Sequence, residues 1–248
     1  MSSNDSTTKT LTVALLLCIV CSVVVSTAAV MLKPAQEANK TLDRKRNILA
    51  AAGMLEEGIS IDEQFARVTP RMVDLRTGEY TDDVDVDSYD ARQAAKDPQL
   101  STALVPAENI AGFSRRENYA PVYVVNDSSG NVDKLILPVH GPGLWSTLYG
   151  FMALEADYDT VAGLGFYEHG ETPGLGGEVD NPRWKALWPG KKVFRDGDVA
   201  IEVIKGTVTP DRPDAQWQVD GLSGATLTSR GVSNLVQFWL GDNGFAPF

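Results

Sequence analysis

Asp220-Gly221-Leu222-Ser223-Gly224-Ala225-Thr226-Leu227-Thr228-Ser229-Arg230-Gly231-Val232 places three glycines and four hydroxyl side chains directly ahead of an apolar run. Residues of these types at a helix start support two chemistries. Free backbone amides and the positive end of the helix dipole favour an anion such as a phosphate, which glycines allow to approach closely. Alternatively, Ser223 or Thr226 caps the helix by accepting from its first amides. The residue types leave both open. Two more glycine-rich stretches each follow a predicted strand: His140-Gly141-Pro142-Gly143-Leu144-Trp145-Ser146 and His169-Gly170-Glu171-Thr172-Pro173-Gly174-Leu175-Gly176-Gly177. There Ser146 and Thr172 can donate to a ligand, or the loops can be plain tight turns. His140, His169 and Glu171 lack the spacing of a metal motif, so hydrogen-bonding roles suit them better and no metal is expected. Nucleophile-elbow, G-x-G-x-x-G and Walker patterns are not found in the sequence.

The elements that must position these loops can be read from periodicity. Val232, Leu235, Val236, Trp239 and Leu240 recur at helical steps, with Gly241 as a stop. Residues 122–125 and 134–139 form a hairpin about Asn126-Asp127-Ser128-Ser129-Gly130, and residues 149–156 and 161–168 pair through Asp157-Tyr158-Asp159. Asn181-Pro182 opens a short helix carrying Trp184, Leu187 and Trp188. Residues 199–204 read as one further strand, and 75–118 as an irregular acidic insertion.

Residues 11–32 contain no charge, and at about 1.5 Å per residue this run forms a helix roughly 33 Å long, enough to cross a bilayer. A cleaved signal peptide ending near Ser26-Thr27-Ala28 is the competing reading, but the apolar run exceeds the usual signal core. Both cysteines, Cys18 and Cys21, lie in this run, where small apolar packing accounts for them. Beyond it the chain is acidic, within an overall net charge of −11, which argues against nucleic acid as a partner. Asp83, Asp85 and Asp87 alternate like a calcium loop, yet Ser88 and Ala94 stand where such a loop needs glycine and glutamate; a solvated acidic loop fits better. A helix with a stop at Gly53 is expected over residues 35–52.

Ser223-Gly224-Ala225-Thr226, with Asp220 three residues before the serine, resembles the D-x-x-S-G-A-T signature of covalent flavinylation, in which a flavin transferase moves FMN from FAD onto the last threonine as a phosphoester. Glu171-Thr172-Pro173-Gly174-Leu175-Gly176 is similar to the second motif of the same FMN-binding domain family. Gly143-Leu144-Trp145-Ser146, the single N-terminal anchor and the long insertion narrow the resemblance, nearly end to end, to the C subunits of Na+-translocating NADH:quinone oxidoreductases.

The resemblance implies an α+β protein with one N-terminal transmembrane helix and a soluble FMN-binding domain of antiparallel strands and flanking helices. Its expected organisation is a tail and anchor over 1–33, a stalk and insertion over 34–120, and the FMN-binding domain over 121–248. FMN would be esterified to Thr226 within Asp220, Ser223, Gly224 and Ala225, with further contacts from Leu144, Trp145, Thr172, Gly174, Leu175 and Lys205. Trp145 and Leu175 would pack on the ring, while Lys205 would pair with the phosphate or with reduced, anionic flavin. The implied role is an electron relay toward quinone, with membrane and flavin-carrying subunits of one complex, a flavin transferase and membrane lipid as partners. Basic residues Lys33, Lys40, Arg44, Lys45 and Arg46 follow the span and by charge alone put the domain in the cytoplasm. The resemblance implies the bacterial inner membrane with the domain in the periplasm. A G-type subunit of an Rnf ferredoxin:NAD+ complex, or a non-redox anchored binding protein, are the alternatives.

Overall fold

The computed structural model describes residues 6–105 and 109–248; positions 1–5 of the expected tail and 106–108 of the expected insertion lie outside these. The chain divides into two compact units, Met1–Arg44 and Lys45–Phe248.

The first unit consists of the greater part of helix α1 (Thr7–Ala51), long and apolar enough to cross a membrane. Its apolar side chains, among them Leu11, Leu16, Val24 and Leu32, are exposed, as are Cys18 and Cys21. The expected span and the helix expected after it form one continuous element.

In the second unit α1 ends as the sequence predicts. Gly53 takes a left-handed φ of 66°, and the Met54 amide donates back to the Leu49 carbonyl at 2.8 Å, satisfying a carbonyl that the helix end would orphan. Then follow α2 (Ile61–Phe65), β1 (Val68–Asp74), β2 (Glu79–Tyr80), α3 (Ala91–Ala94), β3 (Ser101–Ala103) and β4 (Arg115–Glu117). The two predicted hairpins are β5 (Tyr119–Asn126) with β6 (Val132–Pro142), and β7 (Thr147–Glu155) with β8 (Val161–Glu168). Beyond them lie α4 (Pro182–Lys185), β9 (Phe194–Arg195), β10 (Asp198–Val199), β11 (Glu202–Val203), β12 (Gln218–Val219) and α5 (Thr226–Leu240).

The main sheet has six antiparallel strands in the order β2-β1-β5-β6-β7-β8. Side-chain alternation divides each central strand between two cores. Leu135, Leu137, Val139, Leu148, Met152 and Leu154 pack with Val232, Leu235, Val236 and Trp239 of α5. Ile136, Phe151, Ala153, Tyr123 and Val125 pack instead with Ile48, Leu49 and Ala51 of α1. A sheet covered on both faces accounts for uninterrupted apolar runs such as Leu135-Ile136-Leu137.

Three sequence expectations need correction. The single strand expected over 199–204 is two short ones, β10 pairing antiparallel with β9 and β11 parallel with β12. Between them the amides of Ala200 and Ile201 both donate to the Val193 carbonyl, which pulls the chain out of one straight strand. The helix opened by Asn181, whose side chain accepts from the Arg183 amide, is a single turn, and Trp188 lies beyond it, fully buried. The stretch over 34–120, expected as stalk and irregular insertion, instead contributes β1 and β2 to the main sheet, with β1 an inner strand pairing with β5 along its whole length, and holds the β3–β4 pair.

Candidate functional site

β6 and β7 pair residue by residue up to Pro142 opposite Thr147, so Gly143 to Ser146 is the hairpin tip. The Gly143 amide closes this tip onto the Ser146 carbonyl at 2.7 Å. The next three amides converge on a single atom: Leu144, Trp145 and Ser146 donate to Glu171 Oε1 at 3.0, 2.9 and 3.3 Å. Successive amides gathered on one oxygen form an anion-binding nest, here filled by the chain's own carboxylate. Glu171 Oε2 accepts the Thr228 hydroxyl of α5 at 2.6 Å.

Glu171 is 5% exposed. Burial pushes its carboxyl up, but the Thr228 hydroxyl and the amides of Trp145, Leu144 and Ser146 more than reverse this, leaving it below its ordinary 4.5. Two glycines make room for it. A Cβ on Gly143 would lie 2.5 Å from Oε1, and one on Gly176 would lie 2.6 Å from both Oε2 and the Thr228 hydroxyl. A second tie joins the two loops where the Gly170 amide donates to Ser146 Oγ at 2.5 Å.

Neither hydroxyl named as a possible cap plays that part at the start of α5. Its cap residue is Ala225, and no side chain among the described residues accepts a hydrogen bond there. The alternative in which Ser223 or Thr226 caps the helix is therefore corrected. Gly224 at φ 71° and a hydrogen bond from the Ala225 amide to the Leu222 carbonyl turn the chain so that Ser223 is left exposed. Thr226 is exposed at the first helical position, whereas Thr228 and Ser229 are buried. Thr228 is committed to Glu171, and Ser229 Oγ accepts the Leu222 amide at 3.0 Å.

Thr226 lines a cavity of about 400 Å3 together with Lys205, Gly206, Gly221, Leu222 and Arg230. Lys205 thus shares a cavity with Thr226 despite lying 21 positions earlier in the sequence. Asp220 sets this arrangement: its Oδ1 accepts the Val208 amide and its carbonyl accepts the Trp184 indole N–H, each at 2.8 Å. The Gly221 amide donates to the Gly206 carbonyl, also at 2.8 Å, fastening the turn after Lys205 to the approach to α5.

Leu144, Trp145, Thr172, Gly174 and Leu175 are exposed, with Trp145 at 70%, and their segments are those that Glu171 ties to α5. A Cβ on Gly224 would lie 3.0 Å from the Leu175 side chain, so the 170–177 loop reaches the flavinylation-like motif. Ala225 is buried at the junction.

The two histidines serve separate networks. His140 Nε2 lies 3.2 Å from Glu117 Oε1, while His169 Nε2 lies 2.7 Å from Asp180 Oδ2 and its Nδ1 accepts the Glu171 amide. Sequence reasoning located Glu171 in a motif but missed its role at the junction, and it missed Thr228 as its partner. Arg230 was also missed, although its i+4 spacing from Thr226 places the two on one helix face.

Residues 143–241 match the FMN-binding domain family. The C subunit of the Na(+)-translocating NADH-quinone reductase of Pseudomonas aeruginosa is 57% identical, over 100% of this chain and 97% of that protein. Its counterpart from Yersinia pestis is 50% identical over 99% of this chain and 93% of its own length. The crystal structure of Shewanella oneidensis NqrC superposes with a TM-score of 0.78 at 39% identity, covering 85% of this chain and 96% of that one. The crystal structure of the corresponding C subunit from Parabacteroides distasonis gives a TM-score of 0.65 at 28% identity, over 84% and 93% of the two chains.

Proposed function

Because the chain belongs to the family of C subunits of Na+-translocating NADH-quinone reductases, we propose that it carries FMN as a phosphoester on Thr226 and relays electrons through it toward quinone. The observation that carries the attachment site is the contrast among hydroxyls at the start of α5. Thr226 is exposed at an uncapped helix end, whereas Thr228 and Ser229 are buried and already bonded.

The residues present fit the group. Unshared amides at the start of α5 and the positive dipole end suit a phosphate, with Lys205 and Arg230 supplying positive charge along the same cavity. Exposed Leu144, Trp145 and Leu175 offer apolar and aromatic surface to a planar ring, which their exposure otherwise leaves to water. On loading, the Thr226 Oγ–P bond forms as the diphosphate bond of FAD breaks; AMP departs and the hydroxyl proton passes to solvent or to the flavin transferase. Esterification leaves the phosphate about one negative charge instead of nearly two, which lessens the desolvation needed to hold it beside the protein. Bound FMN supplies the electron-carrying chemistry. This chain's residues anchor it, orient its ring and exclude water around it.

The same reading makes α1 a membrane anchor and places the folded unit on the periplasmic side of the bacterial inner membrane, where the flavin transferase acts. Electrons would arrive from an iron-sulfur centre in the membrane and leave to the flavin of a neighbouring subunit. NADH oxidation and sodium conduction fall to other subunits. Full-length relatives at 57% and 50% identity favour this complex over the Rnf alternative.

Coexpression with a flavin transferase, followed by in-gel flavin fluorescence on denatured protein and peptide mass mapping, tests the attachment. Wild type should fluoresce, with the added mass on the peptide containing Thr226, and Thr226→Ala should be dark. A fluorescent Thr226→Ala moves the site elsewhere, and a dark wild type rejects covalent flavin altogether.

A further inference from the structure

The geometry points to Glu171 as a positioning residue: its buried carboxylate fastens the hairpin tip bearing Leu144 and Trp145 to the helix turn bearing Thr226, and thereby holds the flavin ring in one orientation. This rests on the FMN reading above.

An ester on Thr226 fixes only the phosphate end. The ribityl chain between phosphate and ring keeps several freely rotating single bonds, so a tether raises the local concentration of the ring without orienting it. Orientation must come from the surfaces the ring meets, and those stand on two chain segments far apart in sequence. Leu144 and Trp145 are on the β6–β7 tip, and Thr226 opens α5.

Glu171 joins both. One oxygen takes three amides of the tip and the other takes the Thr228 hydroxyl, so a single carboxylate fixes the distance between seat and tether. Hydrogen bonds to an ionised acceptor are roughly twice as strong as neutral ones, and burial shields these from competing water. The space is dedicated as well: a Cβ at Gly143 would come within 2.5 Å of one carboxylate oxygen, and one at Gly176 within 2.6 Å of the other. His169 and Asp180 pair with each other beside it, and the contact His169 makes to Glu171 is to the backbone amide.

The test uses the full-length chain, loaded with FMN by a flavin transferase and purified in detergent, as wild type, Glu171→Ala, Glu171→Gln and Thr228→Val. Flavin fluorescence anisotropy and absorption band shape report ring mobility in native protein, in-gel fluorescence reports attachment, and a thermal melt reports folding. All four proteins should keep the gel band. Glu171→Ala should lower the anisotropy at least two-fold, and Thr228→Val should fall between it and wild type. Glu171→Gln should restore most of the wild-type value, because its carbonyl still accepts from the tip and its amide can donate to Thr228. A folded Glu171→Ala with wild-type anisotropy and band shape overturns the inference; if that variant does not fold, unchanged anisotropy in Thr228→Val does so. A wild type dark on the denaturing gel sinks the attachment reading and this inference with it, whereas a bright gel with an unchanged ring sinks this inference alone.

Discussion

Gly231 lies inside α5, where general helix propensity says that alanine should be better by about 1 kcal/mol. The local geometry reverses that sign. A Cβ at Gly231 would lie 2.4 Å from the Pro142 carbonyl oxygen and 3.2 Å from Gly143 Cα, both at the root of the β6–β7 tip. Carbon and oxygen rest at roughly 3.3 Å or more, so helix and hairpin would have to part by about 0.9 Å. Neither yields easily, because the obstacle is backbone and the tip is held by continuous pairing and by Glu171. Overpacking of this kind costs about 1 to 3 kcal/mol, and with rigid backbone on both sides the upper half of that range applies. Subtracting the propensity gain leaves Gly231→Ala destabilised by about 1 to 2 kcal/mol, a fall in Tm of about 2 to 8 °C for a unit of this size. The displacement also exceeds the ~0.5 Å within which a functional constellation must be held, so flavin anisotropy should drop together with Tm. Thermal melts followed by tryptophan fluorescence on detergent-solubilised full-length protein measure the first effect. A Tm that rises, as propensity alone requires, would show that α5 does not press on the hairpin as described.

Acid should release the same junction. The Glu171 carboxyl is depressed below 4.5 in the fold, so its contribution to stability is complete above the unfolded value and is lost as pH falls through the lower folded one. The stability difference between wild type and Glu171→Gln, read from urea unfolding, should stay level from pH 7 to about pH 5 and shrink below 4.5; a difference that grows on acidification contradicts the hydrogen-bond assignment. Asn181 caps α4 through the Arg183 amide, and its replacement by alanine should cost about 1 kcal/mol in the same assay, with no change in the flavin band on a denaturing gel.

What could be read in the sequence was whatever local spacing encodes. α5 was legible because its apolar residues recur at helical steps and pack on one face of the sheet, and the hairpins because their apolar runs flank turn residues. β1 was not legible, since Pro70 and Arg71 interrupt the run; its identity as an inner strand comes from pairing with β5, some fifty positions away. Similarly, 199–204 has the composition of one strand and becomes two because Val193 claims its middle amides. At the site, the loops and Thr226 could be found from residue types and motif resemblance. That Thr228 is already bonded, and that one carboxylate holds the loops together, could not, because the partners of Glu171 lie 27 and 57 positions away.

The sheet that separates two cores also insulates one set of substitutions from the other. Leu49 and Leu235 are both fully buried, yet they belong to clusters on opposite faces that share no side chain. Changes at well-separated sites without common partners add nearly independently. Drift in the residues packed around the end of α1 therefore leaves the surface beneath α5 in register. The face of the sheet under the end of α1 and the face under α5 can thus diverge along separate lines.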